Sequence, residues 1–213
     1  MKVEEIIFQV RNIINELATE GDSFSDETDN SIQEFIKTAA RQIASLPKYM
    51  ADPTTMEGEN AENFITRPDG LHYLRLKMPE ECLRPVSLDV IGWDTPVYVF
   101  HPATDKRFLA QYSAAPGIGN GPASPIAFTT NDNGAYIIAH AVENKAKYSL
   151  KYIAAPQING DGTIAMSDKY ADILAYTTAG LYLQSTDDFS KAKAAFDTAG
   201  SLIQNLGDAP SES

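Results

Sequence analysis

Three histidines are the side chains best suited to acid–base or metal chemistry, and they stand far apart at His72, His101 and His140. No carboxylate or cysteine lies near them at the spacing of a metal-binding motif such as HExxH. The serines lack a GxSxG turn, and no base is placed beside them in sequence. These patterns predict a non-enzymatic protein with no catalytic residue, no metal site and no cofactor, in which each histidine is an ordinary strand or turn residue.

The chain contains one cysteine, Cys82. A single thiol excludes an intrachain disulfide and any metal site built from several cysteines of one chain. Because unpaired cysteine is among the most buried residue types, Cys82 is expected to pack in the core.

Two glycine-rich segments carry fragments of ligand-binding motifs. Residues 116–122 resemble a phosphate loop, in which clustered backbone N–H groups surround an anion, but no Lys-Ser/Thr pair follows. A loop with an exposed Ile118 at its tip is predicted instead, and Ile118 is a candidate to insert into a neighbouring subunit. Residues 159–163 resemble part of a calcium loop without its bidentate carboxylate, which favours a plain turn.

The two ends of the chain are predicted to be helical. Apolar residues recur every three or four positions, as on one face of a helix, in two segments at each end. The stripes are Val3, Ile6, Ile7, Val10, Ile13, Ile14 and Leu17; Ile32, Phe35, Ile36, Ala39, Ile43 and Leu46; Tyr170, Ile173, Leu174, Thr177 and Leu181; and Phe189, Ala192, Ala195, Phe196, Ala199, Leu202, Ile203 and Leu206. Ser25 or Asp26 and Ser167 are suitable caps, and residues 185–188 separate the last two helices.

The middle of the chain changes to the alternation of β-strands. Strands are predicted around residues 71–76, 86–90, 96–100, 126–128, 135–142 and 148–153, with the last three forming a meander. Asp132, Asn133 and Gly134 suit a tight turn between two of them.

An α+β fold follows from this order of elements. The domain prediction is an N-terminal helix pair (1–48), a connecting loop (49–67), an antiparallel β domain (68–156), a C-terminal helix pair (157–207) and a disordered tail (208–213). Neither pair of amphipathic helices can bury its apolar face alone, so the two pairs are expected to form one four-helix unit with the β domain inserted.

Charge is distributed unevenly along the chain. Residues 1–66 have a net charge of −8, residues 67–150 of 0 and residues 151–213 of −4, within a total of −12. A chain without a basic face is not suited to tight binding of nucleic acid. No run of apolar residues has the length of a membrane span, and the first residues lack a signal-peptide pattern, so a globular protein made in the cytosol is expected.

Several segments spread over most of the chain form a recognisable sequence pattern. They are residues 3–11, 24–27 and 39–43 at the N-terminal end; 68–70, 76–86, Gly92, Trp93, Arg107, Phe108, Gln111, 125–126 and 148–156 in the middle; and the helix pair of 175–199. Together these segments resemble the head-to-tail connector, or adaptor, proteins of tailed bacteriophages, and among them the neck ring proteins of short-tailed crAss-like phages.

This resemblance implies a structural virion protein in the neck or tail region, assembled in the cytoplasm of a host bacterium. About twelve copies would form a homo-oligomeric ring beneath the portal protein, in contact with other neck or tail proteins and not with a membrane. Genomic DNA would pass through the ring without specific binding, which weak like-charge repulsion from an acidic wall would permit. Trp93, Tyr112 and Ile118 are the candidate subunit-interface residues.

A peptide- or glycan-binding accessory protein is the alternative. Gly180, Ala192, Phe196 and Ala199 have the spacing of a tetratricopeptide-like helix hairpin, although stacked repeats need about three copies. In this interpretation the β domain recognises the ligand, and Trp93, Tyr98 and Tyr112 supply stacking surfaces.

Overall fold

A computed structural model describes residues 1–17, 26–59, 64–66, 72–102, 104–105, 125–130, 135–140 and 145–206. The chain divides into two compact units. The helical unit comprises Met1–Ala51 and Ala155–Ser213, and the β unit comprises Asp52–Ala154, inserted between them in sequence. Four helices and two sheets within the described residues confirm the predicted α+β class.

The helical unit contains α1 (Val3–Leu17), α2 (Asp26–Ala44), a 3-10 turn (Asp168–Tyr170), α3 (Ala171–Ser185) and α4 (Phe189–Asn205). Most buried side chains of α1 and α2 belong to the predicted apolar stripes: Val3, Ile6, Val10, Ile13 and Ile14 on α1, and Ile32, Ile36, Ala39 and Ile43 on α2. Ala40 and Ala44 of α2 are buried as well, outside the predicted stripe. Both N-terminal helices therefore bury the face that their periodicity predicted.

Helix α3 is the centre of this unit, because it contacts α1, α2 and α4. Its buried residues lie on nearly every side: Ile173, Leu174, Ala175, Thr177, Thr178, Ala179, Gly180 and Leu183. The predicted single stripe was therefore too narrow, since a helix with three neighbours buries more than one face.

Helices α3 and α4 approach each other closely at Gly180. A Cβ atom there would lie 2.6 Å from a ring carbon of Phe196, which is too short for a carbon–carbon contact. Ala192, Ala195 and Ala199 of α4 are also buried, so small residues set the distance between the two helices.

The predicted break between these helices is present at residues 186–188. The Asp188 side chain accepts a hydrogen bond of 3.3 Å from the backbone N–H of Lys191 and thereby caps α4. Phe189 was predicted to belong to the buried stripe of α4, and this was wrong. It is the first residue of the helix, and its side chain is 61% exposed.

The first residues of the chain pair with the turn that follows the β unit. The backbone N–H of Val3 donates to the carbonyl of Gly162 at 2.9 Å, and that of Ile164 donates to the carbonyl of Met1 at 2.9 Å. Lys2 and Thr163 form the bridge between them. The two sequence-distant halves of the helical unit are thus joined by backbone hydrogen bonds as well as by helix packing.

The β unit contains two sheets in its described part. The three-stranded sheet has the order β1–β8–β4, and the five-stranded sheet has the order β2–β3–β7–β6–β5. Their bounds are β1 Thr54–Glu59, β2 Phe64–Thr66, β3 His72–Lys77, β4 Cys82–Val90, β5 Phe100–Pro102, β6 Ala127–Thr130, β7 Tyr136–His140 and β8 Lys147–Ala154.

One core connects both sheets of this unit. Leu74, Leu76, Ala127, Ile137 and Ala139 of the five-stranded sheet belong to the same buried cluster as Leu88, Val90, Leu150 and Tyr152 of the three-stranded sheet. The core also contains Trp93 and Val97, which follow β4. The β unit is therefore a two-sheet arrangement around shared apolar side chains.

The predicted connecting loop of residues 49–67 contains strands β1 and β2, so that part of the domain prediction was wrong. Glutamate and glycine, which are poor strand formers, obscured β1 in the sequence. Pairing with the neighbouring strand β8 supplies the stability that local propensity does not.

The predicted meander is also wrong at its third strand. Strands β6 and β7 pair antiparallel, but β8 belongs to the other sheet, where it lies between β1 and β4. The β unit is not purely antiparallel either, because β5 and β6 are parallel. Of the strand predicted over 96–100, Val97 forms an isolated bridge to Leu88, and β5 begins at Phe100.

Pro85 lies within β4, where its missing N–H would interrupt a continuous ladder. The strand tolerates it because β4 is at an edge of its sheet and its register with β8 shifts on both sides of Pro85.

No helix among the described residues is long and apolar enough to cross a membrane.

Candidate functional site

A groove lies over the three-stranded sheet of the β unit. It has a volume of about 460 Å³ and is lined by Glu57, Gly58, Glu59, Asp89, Ile91, Lys147, Tyr148 and Ser149. All three strands of the sheet contribute, so the register of the sheet positions every lining residue except Ile91, which directly follows β4.

The register places Glu57, Ser149 and Asp89 in one row. Ser149 of β8 is opposite Glu57 of β1 and also opposite Asp89 of β4. Directly opposite residues of paired strands project to the same face, so two carboxylates flank one hydroxyl.

A second row lies beside it, formed by Glu59, Lys147 and Ile91. Glu59 is opposite Lys147, and the backbone N–H of Ile91 donates to the carbonyl of Lys147 at 2.9 Å. Ile91 is 60% exposed, so the groove offers an apolar side chain next to its charged ones.

Gly58 allows Tyr148 to pack across β1. A Cβ atom at Gly58 would lie 2.6 Å from the Tyr148 hydroxyl oxygen, so any larger residue would displace the ring. Tyr148 also packs against the core cluster of the β unit. Successive side chains of a strand alternate in direction, so the Tyr148 ring lies on the core face of the sheet, opposite to the face of Glu57 and Ser149.

The charges of the groove are not balanced. It contains three carboxylates and one ammonium group, and in the described part of the chain none of these four forms an ion pair. Several charged residues of the helices are paired, as Arg11 is with Asp29 and Lys193 with Asp197. The groove thus presents net negative charge to a ligand.

The histidines lie in strands, as predicted: His72 in β3, His101 in β5 and His140 in β7. Among the residues that the structure describes, no group of three or more His, Cys, Asp or Glu side chains could hold a metal ion.

Cys82 is half-buried at the start of β4 and packs against the core cluster, in agreement with its predicted packing role. Burial, and then the neighbouring carboxylate of Glu81, raise the pKa of its thiol to about 11. The thiol is therefore protonated at neutral pH and is a weak nucleophile.

The predicted turn of residues 159–163 is confirmed. One carboxylate oxygen of Asp161 accepts hydrogen bonds from the Thr163 backbone N–H at 3.0 Å and from the Thr163 hydroxyl at 2.7 Å. These bonds lower the pKa of Asp161.

Trp93 does not offer an exposed ring. It is 9% exposed and belongs to the core of the β unit, which argues against its predicted contact with another subunit and against a sugar-stacking role. Tyr98 is exposed. Tyr112, Ile118 and the rest of the glycine-rich segment 116–122 lie outside the described residues, as do the turn of 132–134 and the tail of 208–213.

Other large apolar side chains are exposed instead. Phe8 of α1 is 65% exposed on the face opposite its buried stripe, and Phe189 and Met50 are also exposed in the helical unit. In the β unit, the side chains of Val99 and Tyr98 are exposed. Isolated exposed residues are common, but phenylalanines on otherwise polar helix surfaces are suited to contacts with another chain.

Sequence reasoning missed the acidic groove because it assigned residues 54–59 to a loop. The alternation of exposed Thr55, Glu57 and Glu59 with Met56 and Gly58 was a weak signal for a strand. The side chains opposite, on β8 and β4, could not be found without knowing the strand pairing.

No protein-family model matches this chain, and no curated protein matches it.

Proposed function

We propose that this chain is a structural subunit of a bacteriophage head-to-tail connector, forming a ring beneath the portal protein around the path of the DNA. In this proposal the helical unit builds the ring wall and the β unit contacts neighbouring neck or tail proteins. The protein resides in the virion and has no catalytic role.

One observation carries the proposal. The helices before and after the β unit belong to one four-helix unit, in which α3 contacts the other three helices. In this proposal that four-helix unit is the part of the subunit that builds the ring wall. A rigid helical unit with a β insertion suits repetition around a symmetry axis.

The exposed phenylalanines of the helical unit supply a candidate contact between copies. Phe8 and Phe189 project from α1 and α4, at the two ends of the sequence of this unit. Burying one phenylalanine in a subunit interface contributes about 1.5–3 kcal/mol, which is enough to affect ring stability.

The accessory-protein alternative has less support. It relied on Trp93 as a stacking surface, and that ring is in the core. Its helix hairpin, α3 with α4, packs against α1 and α2 rather than standing as a separate repeat.

Assembly of the purified protein tests the proposal. Native mass spectrometry and negative-stain electron microscopy should show rings of about twelve copies, either alone or on an added portal ring. A protein that stays monomeric and does not bind the portal ring at micromolar concentration would contradict the proposal.

Paired variants then test the role of the helical unit. Phe8→Ser should weaken ring formation by about tenfold or more, because it removes buried apolar area from the contact. Val99→Ser is the matched control, since Val99 is similarly exposed in the β unit. An equal effect of both substitutions would reject the helical unit as the ring wall.

A further inference from the structure

Strand β1 lies at the edge of the three-stranded sheet. Within the described part of the chain, β8 is its one strand partner. A six-residue edge strand turns one row of backbone N–H and C=O groups away from its neighbour. Such a row can pair with an added strand from another chain.

The charge of β1 determines what can pair with it. Glu57 and Glu59 are two positions apart, so both project to one face of the sheet, and both are exposed. Two copies of β1 placed edge to edge would bring these carboxylates together, which is destabilising. A strand with basic side chains at alternate positions would instead form opposite-charge pairs with them.

The groove contains a further carboxylate outside the edge strand. Across the sheet from Glu57 lies Asp89, with Ser149 between them, and in the described structure neither carboxylate has an ion-pair partner. The exposed Ile91 lies against the same cavity. Long basic side chains have an apolar stem and a charged end, and the groove offers both kinds of surface.

We propose that β1 and the groove bind an extended segment of a partner protein by strand addition, with arginine or lysine at every second position of that segment. The backbone edge supplies the hydrogen bonds, and Glu57 and Glu59, which are adjacent to the added strand, select the basic side chains. Asp89, two strands away from β1 in the sheet, adds to the negative potential of the same face. This inference goes beyond the connector proposal, because the site lies within the β unit of one chain and needs no ring.

A synthetic octapeptide of alternating threonine and arginine, labelled with a fluorophore, is a direct probe of this site. Fluorescence anisotropy should show saturable binding that weakens with salt, since exposed ion pairs are screened. An octapeptide with the same composition but with four threonines followed by four arginines should bind several-fold more weakly, because alternate residues of a strand share one face.

Charge-neutral substitutions separate the site from general attraction to an acidic protein. The double variant Glu57→Gln, Glu59→Gln should weaken binding of the alternating peptide by about three- to tenfold at low salt. The control is Glu80→Gln with Asp94→Asn, two exposed carboxylates of the same unit that do not line the groove. It makes the same change in net charge and should leave the affinity nearly unchanged.

Hydrogen exchange identifies the backbone contact. Bound peptide should slow the exchange of amides within residues 54–59, and a peptide N-methylated at alternate amides should lose this effect, because it cannot donate to a strand edge.

Three results would overturn the inference: no saturable binding of the alternating peptide, equal weakening in both double variants, or binding without protection of residues 54–59. Ring assembly is measured separately on the same proteins. A failure of strand addition is therefore distinguishable from a failure of the connector proposal.

Discussion

The helical unit and the β unit differ in how they use charge and apolar surface. On the helices, several charged side chains pair with near neighbours, as Lys191 does with Asp188 and Lys37 with Glu34, while Phe8 and Phe189 are exposed. In the β unit, the carboxylates of the groove have no ion-pair partner within the described residues, and they lie beside a sheet edge. The first surface is suited to apolar contacts between copies, and the second to recognition of a basic partner.

The cores differ as well. The helical unit is organised around one helix with small residues at its closest contact, whereas the β unit gathers large side chains from two sheets. Each unit therefore has its own determinants of stability, and substitutions in one should act mainly on that unit.

The largest expected effect comes from truncating a core leucine. Leu174→Ala should lower the free energy of unfolding of the helical unit by about 2–5 kcal/mol, because Leu174 is fully buried in the central helix. Leu150→Ala is the matched change in the β unit, where the side chain is equally buried. Hydrogen exchange read separately over each unit measures both effects. If either variant lowers the free energy of unfolding of both units equally, the two cores do not contribute to stability independently.

Gly180→Ala should destabilise the helical unit by about 1–2 kcal/mol. The new methyl group would meet the Phe196 ring, and this cost exceeds the gain of about 1 kcal/mol in helix propensity. Gly200→Ala in α4 is the control, because nothing lies within 4 Å of its new Cβ, and it should stabilise the unit. Circular dichroism at about 222 nm, where α-helices give a strong signal, follows thermal unfolding and compares the midpoints of the two variants. Equal effects would mean that α3 and α4 are not in close contact.

Tyr152→Phe should destabilise the β unit by about 0.5–1.5 kcal/mol. The hydroxyl of the buried Tyr152 donates a 2.8 Å hydrogen bond to the Glu81 carboxylate, which phenylalanine cannot form. Tyr98→Phe, at an exposed position, should have no measurable effect. Chemical denaturation followed by tyrosine or tryptophan fluorescence measures the difference, and an unchanged midpoint in Tyr152→Phe would show that the bond adds no stability.

Alkaline pH should weaken the β unit. Burial, and then the bond to Glu81, raise the pKa of Tyr152 to about 12, and the pKa of Cys82 is raised to about 11. The folded unit therefore holds these protons more tightly than the unfolded chain, whose values are near 10 and 9. The resulting stabilisation is complete below about pH 9 and is lost as the pH rises through the folded values. Denaturation midpoints at pH 8 and pH 11 test this, and the loss should be smaller in a Tyr152→Phe, Cys82→Ser variant.

The smallest expected effect is an increase in the free energy of unfolding. Thr178→Val should stabilise the helical unit by up to about 1 kcal/mol, because the buried hydroxyl of Thr178 has no hydrogen-bond partner among the described residues. Thr198→Val, at an exposed position where the hydroxyl bonds the Ala194 carbonyl at 3.0 Å, should change little. A destabilised Thr178→Val protein, seen in the same thermal unfolding assay, would mean that the hydroxyl is satisfied in solution.

Much of the helical unit could be predicted from the sequence, because helix hydrogen bonds are local and leave a 3.6-residue period. Val3, Ile6 and Val10 of α1 have this period and are buried. Helix α3 is the exception, because a helix surrounded by neighbours has no polar face to reveal its orientation.

The β unit was predicted less completely because strand partners are distant in sequence. The alternation of residues 148–153 marks a strand, but it does not show that β8 lies between β1 and β4. The groove follows from that pairing, so Glu57 and Asp89 could not be brought together beforehand. Trp93 illustrates the opposite error, in which a large aromatic residue predicted at an interface lies in the core.

The pairing of residues 1–3 with residues 162–164 has a consequence for biosynthesis. A ribosome makes α1 and α2 first and the whole β unit next, and only then the turn and central helix against which the first two helices pack. The apolar faces of the N-terminal helices that pack against the central helix therefore stay uncovered while the inserted unit is translated. A nascent chain stalled before residue 171 would expose these faces and would be a substrate for chaperones.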